Sequence, residues 1–162
     1  ICNTSGIIHH PEAQFDMVRL GIGLYGFDMA PNNLELEEVG VLKTTITQIK
    51  HLKSTETVGY DRKGKLYRDS VIATVKIGYA DGYDRRLGNG TGHMLIGGSL
   101  VPTVGNICMD MCMLDITDVD AKEGDEVLVF PDLNLISKNI GTIPYELLTG
   151  ISSRVKRVYF YN

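Results

Sequence analysis

The chain has 162 residues, 43% of them hydrophobic, which is enough to bury the core of one ordinary globular domain or of one domain with an appendage. With 16 Lys and Arg against 20 Asp and Glu the formal charge is -4, and no basic block follows a phosphate backbone, which argues against nucleic acid as a partner. The 3 cysteines, Cys2, Cys108 and Cys112, are odd in number and lack CxxC spacing, favouring neither a disulfide framework nor a zinc knuckle, and no apolar run approaches the roughly 18 residues of a membrane span. In chain order, ICNTSGII (1–8) reads as a strand end with a small-residue turn, and PEAQFDMVRLGIGLYGF (11–27) as a polar turn leading into an apolar, glycine-spaced extended segment. MAPNNLELEE (29–38) breaks that pattern with proline, two asparagines and acidic residues, and a domain boundary is expected there. From Val39 onward the signal is that of strands: VLKTTITQIKHL (41–52), VIATVKI (71–77), HMLIGGSLVPTVGNI (93–107), CMLDITD (112–118) and DEVLVF (125–130). Glycine and aspartate turns such as RKGK, LGNGTG and AKEGD separate them. Helix is predicted over LNLISKNI (133–140) and PYELLTGI (144–151), where Pro144 suits a first helical position and Gly150 a stop. RVKRVYFYN (154–162) is expected to close the chain as a final strand.

Three stretches carry chemistry. In KIGYADGYDRRLG (76–88), Tyr79 follows a predicted strand and sits between Gly78 and the turn ADG, so its hydroxyl can project from a rigid edge into a cleft; a strand-end aromatic with its hydroxyl in water is the competing and, on the residues alone, the favoured reading. A phenol is a poor base until a cationic neighbour favours the phenolate. GNICMD (105–110) is a second glycine-started loop, whose backbone N–H groups suit an anion; a core role for Met109 is the competing reading. RLGIGLYG (19–26) is the third: Arg19 can hold a ring nitrogen or a carboxylate, and the N–H groups beside Gly21 a phosphate. It lacks the GxGxxG spacing and following helix of a dinucleotide fingerprint, and a structural strand tightly packed at glycine fits it equally well. His9 and His10, adjacent on an extended chain, would face opposite sides, so no metal site is expected. Asp81, Asp84, Arg85 and Arg86 read as turn formers and interface contacts, with Arg85 bracing the loop.

Taken in order, NTSGIIHHPEAQFDMVRLGIGLYG, VGYDR, KIGYADGYDRRLG, VPTVGNICMDMCMLD and GTIPYELLTGISSRVKRVY resemble, nearly end to end, the carboxy-terminal part of the alanine racemases. That resemblance implies a pyridoxal 5'-phosphate enzyme of bacterial cell-wall synthesis, in which an amino-terminal (β/α)8 barrel carries the lysine that binds the cofactor. It also implies a homodimer with active sites shared across the interface. The fold implied is mainly β, an alanine racemase C-terminal-like, barrel-like β domain with short C-terminal helices, residues 29–162, preceded by residues 1–28 as the last piece of the (β/α)8 barrel. A start at Ile1 instead of Met, in the middle of what reads as a strand, suggests a piece of a longer protein, and without the lysine this chain alone is expected to be inactive. The location implied is cytoplasmic, either free or as the cytoplasmic part of a membrane-anchored protein.

By the same resemblance Tyr79 is an acid/base group lent to the partner subunit, opposed to the barrel lysine, since racemisation needs a proton carrier on each face of the α-carbon. Met109 would hold the substrate carboxylate through its main-chain N–H. Arg19 would donate to the pyridine nitrogen and keep it unprotonated, which weakens the electron sink and discourages transamination. Gly21 and Ile22 would give backbone contacts to the phosphate, and Thr4 stands where the family has a phosphate-binding serine. Ser153, in GISSRVKR, replaces the tyrosine usual at that place beside the phosphate. The smaller side chain leaves room near the substrate's β-carbon, as in the serine/alanine racemases of vancomycin resistance, so D-serine production, alone or alongside D-alanine, is expected. The other readings are an ordinary alanine racemase in which the tyrosine has drifted, a noncatalytic β module for dimerisation or regulation, and a fold-related enzyme acting on lysine, arginine or ornithine derivatives. No nucleic acid or metal partner is implied.

Overall fold

The structure is a computed structural model and describes residues 1–28 and 36–160. Most of the MAPNNLELEE stretch, where the boundary was expected, therefore lies outside the described residues. The chain forms two compact units, Ile1–Val41 and Leu42–Asn162.

In the first unit the expected strand end is instead a short helix, α1 (Thr4–His9). Asn3 decides this locally: its side chain accepts from the Gly6 N–H at 3.0 Å, satisfying a donor that an uncapped first turn would leave open. The expected polar turn forms as a 3-10 turn at Pro11–Ala13, whereas the glycine-spaced segment read as extended forms no strand and closes in a second 3-10 turn, Ile22–Tyr25, that ends on Gly26 in the left-handed region at φ 86°. His9 and His10 thus lie at a helix end, His9 facing Asp28 at 3.7 Å and His10 facing Glu12 at 3.4 Å.

The second unit is built on β1 (Lys43–Leu52), β2 (Thr57–Val58), β3 (Gly64–Lys65), β4 (Ser70–Val75), β5 (His93–Ile96), β6 (Ser99–Val104), β7 (Cys112–Asp115) and β8 (Glu126–Leu128). Six of these close an antiparallel barrel in the order β1-β4-β7-β6-β5-β8, and β2 and β3 form a separate pair. In β1 the register slips between Ile46 and Gln48 against β4, so Thr47 is an extra residue. That bulge lets Ile46 and Ile49, an odd number of residues apart, both be more buried than their neighbours, where strict alternation would have turned one outward. HMLIGGSLVPTVGNI, read as one strand, is a hairpin: Ile96 pairs with Ser99 around Gly97 and Gly98, whose φ values of 54° and 85° fit the strand twist and are open to glycine.

The barrel interior is apolar and shut to solvent. Val75, Met94, Cys112, Leu114 and Val127 are fully buried, and each large side chain so placed contributes about 1.5–3 kcal/mol relative to exposure. Two helices follow, α2 (Leu133–Asn139), capped by the Asp132 carboxylate at Leu135 N–H, and α3 (Pro144–Gly150), with proline in its first turn as expected. The final strand predicted for residues 154–162 does not form: residues 156–160 have no regular structure, and the last two lie outside the described residues. A strand needs a free edge to pair with, and the closed barrel offers none. Arg157 instead donates to the carbonyls of Ile151, Ser152 and Val155 at 3.2 Å each.

Candidate active site

The two tyrosines of KIGYADGYDRRLG have opposite fates. Tyr83 is 1% exposed and packs on the Phe130 ring with centroids 5.8 Å apart; burial pushes its phenol far above the ordinary value, which makes it a core residue. Tyr79 is 45% exposed, and its hydroxyl makes no hydrogen bond among the described residues.

The loop that presents Tyr79 is held by backbone chemistry. Tyr79 N–H donates to Cys108 O and Ala80 N–H to Met109 O, each at 3.0 Å, so residues 79–80 pair with residues 108–109 as a fragment of ladder. Gly78 permits this approach, because a side-chain carbon there would stand 2.3 Å from Cys108 O and 2.4 Å from Met109 O. The Asp81 carboxylate turns back to accept from Gly78 N–H at 2.9 Å, and Gly82, at φ 108°, ends the turn. Met109 is 53% exposed; its carbonyl is taken by Ala80, while its own N–H makes no hydrogen bond among the described residues. That leaves an unused main-chain donor on the loop bonded to the one that carries the exposed phenol.

Charge surrounds the pair. The Arg85 guanidinium carbon lies 5.9 Å from the centre of the Tyr79 ring, and both line a cleft of roughly 370 Å³ with Asp84, Arg86, Glu146 and Leu147. Arg86 is fixed: it donates to Asp84 at 2.7 Å and to Ile140 O at 2.9 Å. Arg154, which spacing did not single out, bonds to Asp81 through Nε at 2.7 Å and to Asp110 through Nη2 at 2.5 Å. Ser152 N–H donates to Asp81 O at 3.0 Å, so Ser153 is carried by the same junction; it is exposed and its hydroxyl makes no hydrogen bond among the described residues. Residues 73 and 44 positions apart meet in that cluster, and nothing in their local patterns announces it.

Burial by itself would raise the Asp81 carboxyl, but the bonds from Arg154 and Gly78 N–H outweigh it and hold the group below the usual range. Asp84 is likewise held down, chiefly by Arg86. A carboxyl whose folded value is depressed binds its proton more readily in the unfolded chain, so its stabilisation is present above about pH 4 and is lost as pH falls through the folded value. The urea midpoint of unfolding is therefore expected to fall steadily from pH 5 to pH 2; a midpoint flat over that window would contradict these two assignments.

The first unit gathers the other candidates. Thr4, 5% exposed, accepts through Oγ1 from Gly21 N–H at 3.1 Å and Gly23 N–H at 3.2 Å, and Arg19 N–H donates to Cys2 O at 2.7 Å, so segments 1–9 and 19–25 lie side by side. A carbon added at Gly23 would come 2.8 Å from the Thr4 methyl, which makes this a cradle closed to larger residues. Ile22 opens its 3-10 turn and has no acceptor within it for its N–H. The Arg19 head group is exposed, with one long contact of 3.5 Å to Ile1 O. A hydroxyl, an open N–H and an exposed guanidinium on two adjoining segments suit a phosphorylated heteroaromatic group.

The second unit is thus a closed antiparallel barrel that carries an exposed phenol and an unused main-chain N–H on interlocked loops. Residues 39–159 match the family model for the alanine racemase C-terminal domain, and the chain belongs to that family. The alanine racemase of Clostridium novyi is 45% identical over all of this chain and 45% of its own length. The solved alanine racemase of Clostridium difficile 630 superposes with a TM-score of 0.90 at 39% identity, over 98% of this chain and 44% of that one. Alanine racemase from Bartonella henselae with covalently bound pyridoxal phosphate gives 0.90 at 36% identity, over 98% of this chain and 46% of that one. The chain thus spans somewhat under half the length of the relatives it matches. Among the described residues no helix is long and apolar enough to cross a membrane.

Proposed function

We propose that this chain is the carboxy-terminal part of a pyridoxal-phosphate-dependent amino-acid racemase that interconverts L- and D-alanine and/or L- and D-serine for peptidoglycan precursors. Residues 1–28 then belong to the last piece of a (β/α)8 barrel and residues 29–162 to the β domain. The observation that carries this reading is the exposed Tyr79 phenol on a loop hydrogen-bonded to the Met109 loop. Exposed Phe15, Met17 and Leu24 in the first unit support it too, since they present apolar surface for further protein to cover.

The residues fit the cofactor. Arg19 would face its ring nitrogen, and the Thr4 hydroxyl with Ile22 N–H would hold its phosphate; the Gly21 N–H, expected as a second backbone contact, instead donates to Thr4 Oγ1 at 3.1 Å. Pyridoxal phosphate, when bound, supplies the electron sink that makes the α-hydrogen of an amino acid removable near neutral pH. The chain's own task is placement. Met109 N–H would grip the substrate carboxylate, fixing which face of the α-carbon meets Tyr79, and the Tyr79 oxygen would deliver or remove the proton on that face. Both groups point outward from their unit, which suits delivery to a site in a second copy of the protein, hence a homodimer. The opposite face would be served by a lysine outside residues 1–162, so the chain alone is expected to lack activity.

Ser153 sets the substrate range in this reading. An exposed serine with an unused hydroxyl leaves space for a hydroxymethyl group where a tyrosine ring would crowd it. In the full-length protein, Ser153→Tyr is expected to lower the serine-to-alanine ratio of kcat/KM by about tenfold or more, the scale on which pockets discriminate one small group. Paired kinetics on the two L-amino acids check it, and an unchanged ratio would leave alanine as the substrate and remove serine.

A further inference from the structure

We propose that Arg154 is a positioning residue for racemisation, holding the Tyr79 loop, the Met109 loop and the Ser153 segment in one arrangement through Asp81 and Asp110. The proposal rests on the functional reading above. Its basis is the placement of three contacts. Asp81 lies two residues after Tyr79 and closes the Tyr79 turn by accepting from Gly78 N–H, while Asp110 directly follows Met109. Arg154 directly follows Ser153, and the Ser152 N–H returns to Asp81 O. One guanidinium therefore ties together the three segments whose exposed groups would meet a substrate.

The residue type matters. Nε and Nη2 lie on one edge of a rigid planar fork and here reach two different carboxylates, at 2.7 and 2.5 Å. A lysine ammonium is a compact charge on a flexible stem and cannot fix two carboxylates in that relation. Arg154 is itself 44% exposed, so its ion pairs add only modestly to folding stability. Its place at this junction is better explained by alignment, because a displacement of about 1 Å at a reacting group can lower a rate by about 100-fold.

The test uses the full-length protein loaded with pyridoxal phosphate. Arg154→Met is expected to lower kcat/KM for alanine by roughly 10- to 100-fold, with a rise in KM from the displaced Met109 N–H and a thermal midpoint within a few degrees of wild type. In D2O, α-hydrogen exchange should slow for the enantiomer whose hydrogen faces Tyr79 and persist for the other. Arg154→Lys should recover part of the rate, and adding Asp110→Asn to Arg154→Met should cost nothing further, because the shared contact is already gone. Wild-type kcat/KM in Arg154→Met, or equal slowing of exchange for both enantiomers, overturns the proposal. Should Arg154→Met fail to fold, Asp110→Asn alone carries the same comparison. A wild-type protein that racemises neither alanine nor serine overturns the functional reading itself, and this inference with it.

Discussion

Tyr79→Phe in the full-length protein is expected to lower alanine racemisation by about 100- to 10,000-fold, the range that one well-placed proton-transfer group supplies. The substitution removes an oxygen and leaves the ring. Because the Tyr79 hydroxyl makes no hydrogen bond among the described residues, its loss breaks nothing in the fold, and the thermal midpoint should not move. The loop is held through main-chain bonds from residues 79 and 80 to residues 108 and 109, which phenylalanine keeps. The Met109 N–H stays in place, so KM should change far less than kcat. Steady-state kinetics in both directions, beside a melting curve, measure this. Retained turnover with an intact fold would show that the proton travels by another group.

Gly82→Ala should be among the most damaging conservative changes to stability in the barrel unit, at about 2–4 kcal/mol. Two penalties combine. At φ 108° an alanine is strained whatever space surrounds it, and the added carbon would stand 2.4 Å from Gly150 O and 2.8 Å from the Ile151 α-carbon. Both obstacles are backbone, so neither can swing aside. Relief requires the Tyr79 turn and the end of α3 to separate, and that opens the Ser152 N–H bond to Asp81 O. The loss should therefore appear as a lower urea midpoint together with reduced activity, whereas Gly90→Ala, at φ 87° with nothing within 4 Å, carries the conformational strain alone. Equal midpoints for the two variants would refute the packing argument.

Most of the strands and both C-terminal helices were legible because their signals are local. Short, nearly continuous apolar runs bounded by turns mark β4 and β7, and Pro144 marks the start of α3. The errors have local causes of another kind. Asn3 turned a presumed strand end into α1 through one side-chain cap, and a glycine pair folded one long apolar stretch into the β5–β6 hairpin. The C-terminal RVKRVYFYN has the composition of a strand, yet pairing depends on an open edge, which composition does not reveal.

The sequence by itself determined which chemical groups are present, their order, and that a tyrosine and a methionine follow strand ends at glycine. Tertiary structure alone decided which tyrosine is available: Tyr79 and Tyr83 stand four residues apart in one loop, and closure of the barrel buries one and leaves the other in solvent. It also decided that Arg154 would meet Asp81 and Asp110. The reason is physical: exposure and long-range ion pairing depend on how separate strands close around a shared core, and no spacing along a single segment encodes that closure.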